Sequence, residues 1–342
     1  MKFSNYKAVE EHLLKAENIV LSTHTNPDGD TLGSALGLYH FLKSKGIHAK
    51  MISPEVAADF ISWMPSYDEM NIYSKEPERV KQIVDEADLI VHIDYNAFHR
   101  TGDAVSDVLE KATHAKHLII DHHPNPSDVF DAYISDTSAC STAQLVYQLI
   151  DFLSGTQLLT KDAAECLYVG LITDTGSFSY GMADEKPYLI GAALVKAGID
   201  DRWIHQKVYS NNTENRLKLL GYALNEKLVI NYEEHWAYIS LSREELDRYH
   251  YQAGDTEGLV NYALSVNGVV AAVLLSEKTD KIRLSFRSKD SFAVNRIAHE
   301  YFDGGGHMNA AGGNSSLSMD ETISRLKKYM SLYKEEMQNI DS

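Results

Sequence analysis

Several short stretches in the first half of this chain are apolar at successive positions rather than at every second one: residues 19–23, 49–53, 89–93 and 117–120. A strand with one wet face must alternate. A strand that is apolar throughout needs cover on both faces, which is the mark of a parallel sheet sandwiched between helices. The intervening segments fit. Residues 31–45 place Leu32, Ala35, Leu36, Tyr39 and Leu42 at helical spacing, and 76–87, 142–153 and 160–171 read as further helices. The expected fold class is α/β, with helices on both faces of an N-terminal parallel sheet.

With 342 residues, the chain is too long for one ordinary compact domain. Residues 188–228 read as a helical connector, with a C-cap at Ala197-Gly198 and a break and restart at Asn211-Asn212-Thr213-Glu214. Strands follow at 237–241, 269–275 and 282–286, and helices at 257–266, 292–301 and 320–337. The expected division is 1–187, a connector at 188–228, and a smaller α/β domain at 229–342.

The chemistry-bearing residues gather where the strands end. His24-Thr25-Asn26-Pro27-Asp28-Gly29-Asp30 follows the first strand, Asp94 a later one, and Asp121-His122-His123 the next. Asp174 lies in the helical segment after that. Ligands of open parallel sheets bind at the carboxyl ends of the strands, so four segments would deliver His and Asp to one edge. Divalent Mn or Mg takes carboxylate oxygen, and Mn also takes imidazole. Pro27 and Gly29 tighten the first loop so that His24, Asp28 and Asp30 can converge. Bland readings compete at single positions: Asp30 as a helix N-cap, Asp94 as a solvated strand end, Ser141 or Thr142 as an N-cap. Asp174 resists one, because an unpaired buried carboxylate is costly. His92 is expected to pack beside the sheet, whereas His99, His114, His117, His205 and His235 have no assignable partner. Cys140 and Cys166 imply no disulfide framework.

Asp121-His122-His123, with His24-x-x-x-Asp28-x-Asp30, Asp94 and Asp174 in this order, resembles the DHH phosphoesterase superfamily over nearly the whole chain. The resemblance implies two Mn²⁺, with Mg²⁺ or Co²⁺ as substitutes. His24 and Asp28 would hold one ion, Asp30, His122 and Asp174 the other, and Asp94 both. It implies a catalytic part for Asp94 and for His123 beside the phosphate, an orienting part for Asp121, and substrate contacts from Asn26 and Arg100.

In the second half, Gly304-Gly305-Gly306-His307 lets backbone N–H groups approach a phosphate closely. Strand period two puts Arg283, Ser285 and Arg287 on one face. Together these resemble the DHHA1 domain, which implies a mixed sheet, substrate binding by Arg287, Ser288, Gly305, Gly306 and His307, a catalytic part for His307, and a cleft between the domains.

The net charge of −17 argues against a long nucleic-acid track, which needs a broad basic surface. Lys281, Arg283, Arg287, Lys289 and Arg296, interrupted only by Asp290, suit a short anionic ligand better. The layout resembles stand-alone nanoRNase/pAp phosphatases, which implies hydrolysis of short RNA or 3′-phosphoadenosine 5′-phosphate, and a homodimer. Relatives with the same chemistry cleave cyclic di-AMP or pApA; a non-catalytic nucleotide sensor is the reading from another class. No apolar run reaches the roughly 18–20 residues of a membrane span and the opening residues lack a signal-peptide pattern, so a cytoplasmic protein is expected.

Overall fold

The computed structural model describes residues 2–154, 159–180 and 184–340. Two compact units, Met1–Asn211 and Asn212–Ser342, divide the chain. In the first, seven strands are β1 (Lys2–Ser4), β2 (Ile19–Ser22), β3 (Ala49–Ser53), β4 (Asn71–Ile72), β5 (Leu89–Ile93), β6 (Lys116–Asp121) and β7 (Ala132–Asp136). Its helices are α1 (Tyr6–Lys15), α2 (Gly29–Ser44), α3 (Pro77–Asp85), α4 (Asp103–Lys111), α5 (Thr142–Ser154), α6 (Lys161–Asp174), α7 (Lys186–Lys196) and α8 (Asp201–Tyr209). The 188–228 stretch is thus shared between the two units.

The sheet order is β1-β7-β6-β5-β2-β3-β4, parallel throughout except for β1 at the edge. Continuous apolarity is used on both sides. Ile19 and Leu21 of β2 enter a core with α2, α5 and α6, while Val20 enters the opposite core with Val80 and Val84 of α3 and Leu109 of α4. The chain runs from β2 outward to β4, then returns to the other side of β2 with β5. Loops leaving β2 and β5 therefore diverge at the point of reversal, which opens a crevice there.

Helix α2 is buried from Gly29 to Leu42. Its packing on α6 is close because both sides are small. A Cβ on Gly33 would stand 2.4 Å from the Cys166 carbonyl oxygen, and one on Gly170 would stand 2.9 Å from Asp30 Oδ1. This contact brings the start of α2 and the end of α6, hence Asp30 and Asp174, together. Cys140 and Cys166 are buried and unpaired by disulfide.

The second unit holds α9 (Glu214–Tyr222), β8 (Leu228–Asn231), β9 (Trp236–Leu241), α10 (Arg243–Arg248), α11 (Leu259–Leu264), β10 (Ala271–Glu277), β11 (Ile282–Ser288), α12 (Asn295–Tyr301), β12 (Gly305–His307), β13 (Ala310–Ser315), α13 (Met319–Ser331) and α14 (Lys334–Ile340). Its mixed sheet runs β12-β13-β11-β10-β9-β8, with β9 and β10 parallel and the other pairs antiparallel. The helix expected at 320–337 is two helices, and the glycine segment is not merely a loop: it contains strand β12. Among the described residues no helix is long and apolar enough to cross a membrane.

Candidate functional site

The loop after β2 is shaped by Asp28. Its Oδ1 accepts from the backbone N–H groups of Asp30 and Thr31, both at 3.0 Å, so Asp28 caps α2. Asp30 therefore lies inside the first turn rather than at the cap, with its side chain 1% exposed. Its carboxylate accepts from the N–H groups at the start of α5, Thr142 at 2.6 Å and Ala143 at 2.9 Å. A helix N-terminus favours such an anion.

Two histidines turn one nitrogen into this carboxylate cluster. His24 Nδ1 donates to the Thr25 carbonyl at 2.8 Å, which directs Nε2 toward Asp94 Oδ2 at 3.4 Å and Asp28 Oδ2 at 3.9 Å. His122 Nδ1 donates to the Ala139 carbonyl at 3.3 Å. Its Nε2 then faces Asp174 at 3.2 Å, Asp94 Oδ1 at 3.6 Å and Asp30 at 3.9 Å. Since a carbonyl only accepts, the neutral His122 ring carries its lone pair on Nε2, whereas His24 Nε2 faces Asp94 as a hydrogen-bond donor. A lone pair and carboxylate oxygens that face one another call for a cation between them.

The electrostatics say the same. Burial, then the carboxylates of Asp94, Asp174 and Asp28, push Asp30 well above the usual carboxylate range. Burial and the neighbouring His123 lower His122, keeping it neutral near pH 7. Burial opposes ionisation of Asp94 too, but the His24 hydrogen bond and the charge of His123 hold it well below its ordinary value. His24 is raised: burial lowers it, but the hydrogen bond it donates to Asp94 and the charge of Asp28 outweigh that. The donor atoms of His24, Asp28 and Asp94 lie within 4.8 Å of one another, and so do those of Asp30, His122 and Asp174. Oxygen and imidazole donors so grouped could hold a divalent metal ion.

Asp94 stands between the two groups. One of its oxygens faces His24, the other His122 and His123. It is 2% exposed and its backbone is left-handed, with φ of 65°. His123 Nδ1 donates to Asp121 at 2.7 Å; burial lowers its pKa, but the Asp121 charge and hydrogen bond override this and bring it to about 9. The other Asp121 oxygen, Oδ2, is buried and accepts no hydrogen bond among the described residues.

Around this centre, Asn26 is exposed in a left-handed turn, and its N–H donates to Glu55 at 2.9 Å. Arg100 is exposed; its carbonyl accepts from the N–H and hydroxyl of Thr25, and its charge acts on both His24 and His123. The residue missed from sequence is Thr142. Ser141 caps α5 by accepting from Gln144 N–H at 3.1 Å, which frees the Thr142 hydroxyl to donate to Asp94 Oδ1 at 2.7 Å. Two adjacent hydroxyl residues at a helix start were the available signal. His117 and His205, without expected partners, pair with His92 and with Ser177.

The second unit lays out its own face. Ile282, Leu284, Phe286 and Ser288 of β11 are buried, and Arg283, Ser285 and Arg287 point the other way. Across the sheet Arg287 pairs with Ala310 and Ala310 with His307, while Ser285 pairs with Gly312 and Gly312 with Gly305. Antiparallel partners share a face, so Arg287 and His307 flank a patch built from Ala310, Gly312 and Gly305, two strand spacings or about 10 Å across. Gly304 and Gly306 are required by packing: a Cβ there would meet Gly312 O at 2.0 Å and Ala310 O at 2.5 Å. At Gly305 a Cβ would meet nothing within 4 Å. Ser288 is committed inward, its hydroxyl donating to the Phe292 carbonyl at 2.6 Å and accepting from Asn309 at 3.0 Å.

An α/β unit whose paired carboxylate and imidazole groups at a switch point could hold metal ions is joined in one chain to a mixed-sheet unit with a glycine-rich face. The model of the DHH family N-terminal domain matches residues 18–171, and that of the DHHA1 domain matches residues 237–332. The chain belongs to the DHH family. It is similar to the bifunctional oligoribonuclease and PAP phosphatase NrnA of Bacillus subtilis, 29% identical over 93% of this chain and 96% of the relative. It is also similar to the crystal structure of an exopolyphosphatase-related protein from Bacteroides fragilis, with 37% identity, a TM-score of 0.91 and 97% of both chains covered. RecJ of Thermus thermophilus in complex with Mn²⁺ shares the fold at 15% identity and a TM-score of 0.52, over 95% of this chain and 54% of that one.

Proposed function

We propose that this protein is a Mn²⁺-dependent phosphoesterase that hydrolyses oligoribonucleotides of a few units and removes the 3′-phosphate of 3′-phosphoadenosine 5′-phosphate. The observation that carries this reading is the placing of Asp94, with one carboxylate oxygen toward the His24 group and the other toward the His122 group. His24 and Asp28 would hold one ion, Asp30, His122 and Asp174 the second, and Asp94 both; Mg²⁺ or Co²⁺ could stand in. Two bound ions would supply an activated water and draw charge from the phosphoryl oxygens.

The chain's own residues do the rest. Asp94 fixes the separation of the two groups. His123, held by Asp121, presents its ring to a phosphate. Arg287 binds a terminal phosphate with its guanidinium, the Gly305 and Gly306 backbone lets it approach, and His307 stabilises charge or protonates the leaving oxygen. Asn26 and Arg100 contact substrate at the rim, and Ser288 fixes the turn beside Arg287. In this reading residues 1–187 form the metal-binding domain, 188–228 a connector and 229–342 the substrate-binding domain. The net charge of −17 supports a short substrate over a polymer.

The test is a Mn²⁺ assay of purified protein against a dinucleotide, 3′-phosphoadenosine 5′-phosphate, cyclic di-AMP, pApA and inorganic polyphosphate, with Asp94→Ala as control. Turnover of the first two, abolished by Asp94→Ala, is expected. Folded, metal-loaded protein that turns over none of them would overturn the proposal and favour a nucleotide sensor.

A further inference from the structure

A continuous chain of buried hydrogen bonds crosses the first unit beside Asp94. Ser22 Oγ lies 2.8 Å from Tyr95 Oη, which lies 2.5 Å from His92 Nδ1. His92 Nε2 lies 2.9 Å from His117 Nδ1, and His117 Nε2 lies 3.1 Å from the Ala112 carbonyl. Ser22, Tyr95 and His92 are fully buried and His117 nearly so. The last link sets the direction, because a carbonyl only accepts. Both rings are held neutral, His92 by burial and the adjacent His117, His117 by burial. His117 therefore donates from Nε2 and accepts at Nδ1, His92 donates from Nε2 and accepts at Nδ1, and the Tyr95 hydroxyl lies between His92 Nδ1 and Ser22 Oγ, within hydrogen-bond distance of both.

This polar chain lies against apolar neighbours. The His92 ring sits 5.1 Å from the rings of both Phe98 and Phe130. An apolar core would be less exacting there, since a half-satisfied buried network costs more than none. The chain passes through Tyr95, which follows Asp94 directly. Asp94 has a φ of 65°, in place of the extended backbone of the strand before it. Such a conformation is sparsely populated and persists where the surroundings over-determine it. On one side Asp94 is held by its own N–H to the Ile120 carbonyl at 2.9 Å and by the Thr142 hydroxyl. On the other, the Tyr95 phenol is the handle.

We infer that the Ser22–Tyr95–His92–His117 chain is a positioning device: by fixing Tyr95 it keeps Asp94 left-handed, with one carboxylate oxygen toward each metal-binding group. The inference rests on the reading of Asp94 as the shared ligand. None of the four is a catalytic residue.

The experiment is calorimetric Mn²⁺ titration of wild type, Tyr95→Phe, His92→Phe and His92→Asn, with melting temperatures in EDTA and steady-state kinetics at saturating Mn²⁺. Removing a group that orients a ligand weakens metal binding about 10- to 100-fold, and Tyr95→Phe and His92→Phe are expected in that range, with lowered kcat and little change in KM. His92→Asn can still accept from Tyr95 through Oδ1 and should recover most of the affinity. Wild-type Mn²⁺ affinity in Tyr95→Phe, with only its melting temperature lowered, would overturn the inference. Should Tyr95→Phe not fold, Ser22→Ala and His117→Phe remove the two ends of the chain, and unchanged affinity in both would overturn it equally. Wild type that takes up no Mn²⁺, or Asp94→Ala that keeps its full complement, would instead defeat the functional reading itself.

Discussion

The Thr142 hydroxyl donates to Asp94 Oδ1 across 2.7 Å, while the backbone N–H of the same residue donates to Asp30 at 2.6 Å. One residue at the start of α5 thereby holds carboxylates from two different segments. Its side chain and its main chain do separate work, and they can be separated by substitution.

Thr142→Val keeps the shape and the N–H but removes the hydroxyl. Mn²⁺ affinity should fall about tenfold, with a melting temperature in EDTA close to wild type. Calorimetric titration checks this; an affinity equal to wild type would leave the Thr142–Asp94 bond without a metal role.

The pH dependence of the metal-free protein follows from His123. Its folded pKa of about 9 stands above the roughly 6.5 of an unfolded chain. The resulting stabilisation is complete below about pH 6.5 and lost as pH rises through 9, and amounts to at most about 3 kcal/mol. In EDTA the urea midpoint should decline between these limits, and Asp121→Asn should flatten the decline. Parallel profiles for the two proteins would contradict the assignment to this pair.

Adjacent glycines should behave differently. Gly304→Ala must displace the Gly312 backbone and should lower the melting temperature. Gly305→Ala meets open space, so stability should hold while KM for a phosphate-bearing substrate rises. If Gly305→Ala changes neither, the patch between Arg287 and His307 does not receive the phosphate.

Arg287→Ala should raise KM with little change in kcat, and His307→Ala should slow turnover while leaving Mn²⁺ content intact. Loss of metal from the His307 variant would mean that the second unit contributes to ion binding.

The parallel sheet was legible because successive apolar residues admit few alternatives, and the cluster of acidic and histidine side chains because three of its four segments fall at strand ends, the fourth, Asp174, closing helix α6. Strand β1 was not, since three residues at the very edge of the chain show no period. Strand β13 was hidden by Gly312 and Gly313, which read as loop until β12 and β11 pair on either side. Asp28 rather than Asp30 caps α2, and Ser141 rather than Thr142 caps α5, because either neighbour satisfies the same local preference and only long-range contacts choose. The links from His92 to His117 and from Tyr95 to Ser22 join three strands and leave no local trace.

Residues from His24 to Asp174 reach the centre only after β2, β5 and β6 have taken their neighbouring places in the sheet. No excised hairpin or single helix could retain it, and its assembly is a report on completed folding of the whole first unit. Manganese uptake would accordingly serve as a conformational assay, separating native chains from compact but misordered ones where helical content alone would not.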